Sequence, residues 1–315
     1  MLRDFTKSNK HYFTKNKFAL IGVAVFLIVG IVLWAVLGLN GNFEISGCSE
    51  FTIKAGSDKS AYSNIYAQAE KTVNNYGGKY FTYQIIGEGE NTEIIIRYYN
   101  KLSTENQTKV NAELASELEL SLDRISSHVQ VKPVATSLDY VYTISAILIL
   151  VVIASLFAYF RYNGASSLSI VFACLIGSLG FISVSSILRL SVGMSYFAML
   201  VILNLLITYL AINLFESIHQ ENWLGNNDYA TALKSALKNT RLRTLLLSVG
   251  VMILGILFVV AAPSALKYVS LNIMFMSVIM LAVAWYVIPF AWSVLITTSR
   301  KKEYRVKATN AGKNK

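Results

Sequence analysis

Charge is what this chain has least of. Asp, Glu, Lys and Arg make up 15% of its 315 residues, against roughly 25% in an ordinary soluble domain. With 54% of residues hydrophobic, a water-soluble fold of this length would expose more apolar surface than its polar residues could offset. Proline is rarer still, at three residues. Two cysteines are too few for a disulfide framework. Cys48 falls just past the first apolar run and Cys174 inside a later one, so no bridge between them is expected. His11, His128 and His219 lie far apart without ligand spacing, so no metal site is expected. The chain has no Gly-x-Gly-x-x-Gly fingerprint, Walker loop, His-Glu-x-x-His helix or plausible Ser/His/Asp cluster. We therefore expect neither enzymatic activity nor a cofactor.

Long apolar runs are what the chain does have. A hydrocarbon layer about 30 Å thick takes ~20 apolar residues in a helix. Six stretches meet that length: Lys17–Leu39, Tyr140–Phe160, Ser166–Ile187, Met194–Phe215, Thr244–Ala262 and Val269–Ile296. The first is longer than a signal-peptide core and lacks a small-x-small cleavage site, so it is expected to stay as an anchor. The third is rich in Ser and Gly, and the fourth contains Asn204 and Thr208. Such residues let helices approach closely and bond across the interface. The last run is long enough to tilt or break near Pro289.

The net charge of +10 could be taken for a nucleic-acid signal, but the positions of the charges exclude that reading. They flank the apolar runs, as topology signals do. Seventeen basic residues fall on one side: five in the N-terminal arm, Arg161, four between Lys234 and Arg243, and seven in the C-terminal tail. The other side holds Arg189, Lys267 and the segment Asn40–Asp139, which has nine basic and thirteen acidic residues. The basic side reads as the cytoplasm, and six spans return both termini to it. The expected localisation is a cell membrane, multi-pass.

The resulting division is a cytoplasmic arm over 1–16, a first span over 17–39 and an extracytoplasmic domain over 40–138. Five spans follow over 139–298, with a cytoplasmic loop at 216–243, and a basic tail covers 299–315. Within the outer segment, Glu50–Ala55 alternates as a strand does, and Tyr62, Ile65, Tyr66, Ala69 and Val73 recur at helical spacing within Ser60–Asn75. Tyr80–Ile86 and Glu93–Tyr99 are β-rich runs joined through Gly87–Asn91, a hairpin signal. Ser103–Ile125 reads as a second helix and His128–Val134 as a last strand. The order β-α-β-β-α-β predicts a ferredoxin-like α+β unit. In the loop, Tyr229–Lys238 carries apolar residues at helical spacing with a basic opposite face. It reads equally as an amphipathic surface helix or as a plain connector.

The layout and three stretches, Asn42–Ser49, Leu214–Glu221 and Asn239–Ser248, resemble the SecF subunit of the bacterial Sec protein-export machinery. The span–domain–five-span layout is similar. Asn42–Ser49, with Gly47, resembles the family's Gly-Ile-Asp-Phe-Thr-Gly-Gly-Thr signature, with one glycine of the pair kept. Leu214–Glu221, with Glu216, resembles its Val-Phe-Asp-Arg-Ile-Arg-Glu-Asn segment. Asn239–Ser248, with Arg243 and Thr244 in register, resembles its Asn-x-Thr-x-x-Arg-Thr-Leu-x-Thr-Ser pattern. The resemblance implies four signature positions, Gly47, Glu216, Arg243 and Thr244. It also implies a SecD-like partner, the SecY channel, and translocating polypeptide as client. The chain departs from the family where membrane-embedded charge is usual. The region matching the intramembrane Asp is Leu175–Leu179, without a carboxylate, and Ser217 replaces the arginine after the span-four acid. A transporter half of the resistance-nodulation-division type, moving a small molecule or lipid, shares the layout and is the alternative.

Overall fold

The computed structural model describes residues 2–41, 45, 48–55, 62–76, 79–99, 104–121, 124–131, 137–225, 229–261 and 267–298. Helix α1 covers Leu2–Leu37 and is followed by a short strand β1, Asn40–Gly41. Next come β2 (Cys48–Lys54), α2 (Tyr62–Asn75), β3 (Lys79–Ile86), β4 (Glu93–Tyr99), α3 (Thr104–Glu117) and β5 (Ile125–Val131). The remainder is α4 (Ser137–Arg161), α5 (Gly164–Ile187), β6 (Ser191–Val192), α6 (Met194–Gly225), α7 (Tyr229–Ala261) and α8, which begins at Lys267.

Among the described residues, five helices are long and apolar enough to cross a membrane, within Asp139–Arg161, Gly164–Ile187, Met194–Asn222, Thr231–Ala261 and Val269–Thr298. A shorter apolar stretch, Ile21–Leu37, lies in α1. The chain is a multi-pass membrane protein. Helices α5, α6 and α8 hold much of the bundle's core, including Phe181, Leu203, Ile207 and Trp292. α4 and α7 turn large apolar side chains outward, among them Ile153, Phe160, Leu246 and Val260. Water would penalise that surface, whereas lipid solvates it. Close approach is set by glycines. A Cβ at Gly30 of α1 would collide with Ser183 of α5, and one at Gly177 with Ile207 of α6. α8 does distort ahead of Pro289, widening into a π-helical turn over Val283–Val287. Proline lacks an N–H and crowds the carbonyl four residues back, here that of Trp285 inside the widened turn.

Within 48–131, four strands form an antiparallel sheet in the order β3-β4-β2-β5. Strand alternation puts Phe51, Ile53, Ile94, Ile96 and Ile125 on one face, where they form a single core with Ile65, Ala69 and Val73 of α2 and Val110 and Leu114 of α3. Glu50 and Arg97 face each other across β2 and β4 on the other face and pair at 2.9 Å. Thr72 of α2 donates to the Glu117 carboxylate of α3 at 2.8 Å, joining the helices across the sheet. In the hairpin, Gly87 (φ +92°) has no room for a Cβ against the Asn91 carbonyl.

One sequence expectation is corrected here. The second helix stops at Glu117, not near Ile125, and the last strand starts at Ile125 instead of His128. The stop is a C-terminal motif in which Leu120 N–H bonds the Ala115 carbonyl at 2.9 Å while Glu119 takes φ +52°. Glycine usually marks that position, so a glutamate there left no stop signal in the sequence.

The same device closes α5. Arg189 takes φ +51° and Leu190 N–H bonds the Ser185 carbonyl at 2.9 Å. Arg189 then does more than end a helix. Its guanidinium donates to the carbonyls of Leu37 at 3.3 Å and Gly38 at 2.9 Å, which are unpaired by the end of α1. The Asn40 side chain donates back to the Arg189 carbonyl at 2.9 Å, and β1 pairs with β6 in parallel. These contacts make Arg189 the clamp between α1 and the α5–α6 turn. The left-handed backbone costs an arginine about 1–2 kcal/mol. Arg189→Ala is therefore expected to lower the thermal midpoint in detergent, losing the guanidinium bonds while keeping the strain. Arg189→Gly should be the more stable of the two variants by about 1 kcal/mol. An Ala variant as stable as the parent would show that the clamp carries no energy.

Candidate functional site

Among the described residues, two polar features of the bundle involve both α5 and α6. The first is a seam in the interior. Asn204 is fully buried. Its amide donates to the Leu200 carbonyl at 2.7 Å and to Ser178 Oγ at 2.9 Å. One turn away, Cys174 Sγ lies 3.5 Å from Thr208 Oγ1. This is the region where the resemblance predicts an intramembrane acid, and here it holds only neutral hydrogen-bonding groups. Some other buried hydroxyls bond to the carbonyl four residues back, as Ser169 does to Ala165 at 2.6 Å and Ser185 to Phe181 at 2.9 Å. In hydrocarbon, such local bonds are how a hydroxyl is satisfied.

The second feature lies at the opposite end of α5 from Arg189. A cavity of about 300 Å³ is lined by Tyr162, Asn163, Ser166, Phe215, Ile218, His219, Asn222 and Trp292. Local structure fixes its walls. Asn163 caps α5, accepting from the Ser166 N–H at 2.8 Å. Trp292 of α8 is buried and donates its Nε1 hydrogen to Ser166 Oγ at 3.1 Å. Tyr162 packs at tilted angles against Phe215 and His219, with ring centroids 6.1 and 6.0 Å away. Its hydroxyl donates to Glu216 Oε2 at 2.8 Å. Partial burial, reinforced by that bond to a carboxylate, pushes the Tyr162 phenol up to about 12. Tyr162 is therefore a neutral donor at any physiological pH. Arg161 approaches the other carboxylate oxygen of Glu216 at 3.4 Å.

Of the four signature positions, Glu216 is the one that joins this cluster. Gly47 lies outside the described residues. Arg243 is exposed on α7. Thr244, next to it, is buried and turns its hydroxyl onto the Thr240 carbonyl at 3.0 Å. Neither lines the cavity. Helix α7 is tied separately, to α6 by Asn239 donating to Glu221 at 3.2 Å and to α8 by Arg241 over the Trp285 ring at 6.0 Å. Sequence reading missed Tyr162, Ser166 and Trp292. The Asn163-Gly164 pair is a helix-start signal that could have located the first two. Nothing local could have paired Trp292 with a residue 126 positions earlier.

No protein-family model matches this chain, and no curated protein matches it. Solved structures do. One is a crystal structure of SecDF in a super-membrane-facing form, with a TM-score of 0.73 and 15% identity over 95% of this chain. Another is SecDF from Thermus thermophilus, described as a translocon-associated membrane protein, with a TM-score of 0.62 and 15% identity over 92% of this chain. The chain spans 40% and 38% of the lengths of those two proteins. At that identity the likeness is one of fold, and the fold is of the SecD/SecF type.

A double-mutant cycle tests the seam. Asn204→Leu, Ser178→Ala and the pair should couple by about 0.6 kcal/mol, the usual worth of an inter-helix hydrogen bond in a membrane protein. Strict additivity would mean that the bond contributes nothing.

Proposed function

We propose that this chain is a SecF-type accessory subunit of the Sec protein-export machinery. In this reading it has six spans, α1 supplying the first, and both termini lie in the cytoplasm of a cell-membrane protein. Residues 40–138 form a ferredoxin-like domain on the outer face, a reading supported by the β-α-β-β-α-β order and the strand order of the sheet. The observation that carries the proposal is the shared fold over 95% of this chain with part of SecDF. The part of SecDF that this chain does not span corresponds to what a separate SecD-like partner would supply beside the SecY channel.

The mechanism follows from the parts. The outer sheet has edge strands β3 and β5 that could pair with an extended polypeptide. Holding that polypeptide and releasing it outward would oppose backsliding. The Arg189 clamp joins the end of α1, which leads into the sheet domain, to the α5–α6 turn of the bundle. A rearrangement in the bundle would thereby reach the outer domain, as two-state coupling requires. The α5–α6 seam is neutral, so proton-driven movement would originate in the partner. The chain performs no chemistry of its own and needs no cofactor in this account.

Affinity purification from native membranes in mild detergent is expected to recover a SecD-like protein and SecY with this chain. A strain depleted of it should process secretory precursors more slowly in a pulse-chase. Recovery of neither partner, together with unchanged precursor processing, would end the proposal.

A further inference from the structure

The proposed function leaves the aromatic cavity at the α4–α5 turn without a role. Its walls are aromatic and amide, and a charged pair stands behind them. Tyr162, Phe215 and Trp292 present aromatic rings, whose faces are electron-rich and attract cations. The carboxylate of Glu216 backs this wall through the Tyr162 hydroxyl. Beside it stands Arg161, whose side chain is 53% exposed and whose contact with Glu216 is a loose 3.4 Å. A negative pole and a positive pole thus sit one ion pair apart, beside a cavity that Asn163 and Asn222 also line.

The cavity is also preorganised. Trp292 is held by Ser166, and Ser166 by the Asn163 cap. It lies where spans end: Arg161 closes the α4 span, Gly164 opens the α5 span and Asn222 ends the α6 span. That is headgroup depth in a bilayer, where tyrosine, tryptophan and arginine concentrate. The volume of about 300 Å³ admits one small headgroup.

We propose that this cavity is a binding site for the headgroup of a zwitterionic phospholipid of the phosphoethanolamine class. The ammonium lies against the rings, with the Glu216 carboxylate behind Tyr162. The phosphate takes the exposed face of Arg161, so the ligand exchanges with a weak ion pair and satisfies both partners. An anionic lipid without an ammonium fills only the Arg161 half and is discriminated against. The site belongs to the chain alone, and its test requires no translocon partner.

The test is native mass spectrometry of the full chain in detergent, supplied with equal amounts of phosphatidylethanolamine and phosphatidylglycerol. One phosphatidylethanolamine per chain should be retained, in roughly tenfold preference over phosphatidylglycerol. Glu216→Gln should reduce retention by about tenfold. Asn222→Trp, at the half-buried rim, should fill the cavity and abolish retention with the melting temperature kept. If Glu216→Gln does not fold, Asn222→Trp decides. Displacement of the lipid by millimolar free phosphoethanolamine would mean that the headgroup alone is recognised; selective retention without displacement would mean that the tails contribute, and the site stands in both cases. Equal retention of the two lipids, or parental retention in the folded variants, overturns it.

Discussion

Hydrocarbon cannot solvate a polar group, and the arrangement of this bundle follows from that constraint. Each hydroxyl or amide placed between the spans must find a partner inside the protein or carry a penalty of several kcal/mol. Serines of α5 answer by bonding their own helix, as Ser185 and Ser186 do to carbonyls one turn back. Asn204 answers across the α5–α6 interface through Ser178. Close packing at Gly30 and Gly177 brings the helices near enough for such contacts to form. At the end of the bundle, Glu216 accepts from Tyr162 and faces Arg161.

The sheet domain obeys water's rules instead. One face of its sheet is buried under two helices and forms a core separate from that of the bundle. The two regimes meet at Arg189. Its strained backbone, its guanidinium on the carbonyls ending α1 and the β1–β6 pairing make one joint. A joint of that kind ties the sheet domain to the helical bundle, and it is the connection that the proposed work on polypeptide would use.

Periodicity and run length located most elements because they report burial directly. The apolar runs after residue 139 and the alternation in β2 and β4 are such signals. Helix ends were harder to place. At Glu119 and Arg189 a charged residue occupies a left-handed position normally marked by glycine, so the stop at Glu117 was invisible. The segment Tyr229–Lys238, ambiguous between surface helix and connector, is the first part of the continuous helix α7. For the site, Glu216 was readable because it follows an apolar run. Tyr162 and Trp292 were not, because their meeting depends on how α4, α5 and α8 pack. The absence of a carboxylate at 175–179 was plain from the residues, while the Asn204–Ser178 bond in that region needed three dimensions.

The central claim is that the outer sheet handles polypeptide in transit. A photo-crosslinking amino acid placed at Gln84 on edge strand β3 or Ser126 on edge strand β5, both exposed, tests it in cells carrying a stalled secretory precursor. Adducts to the precursor at one edge or both, appearing only while it is stalled, are the predicted result. No adduct at either edge, while the same precursor crosslinks to the channel, would contradict the account.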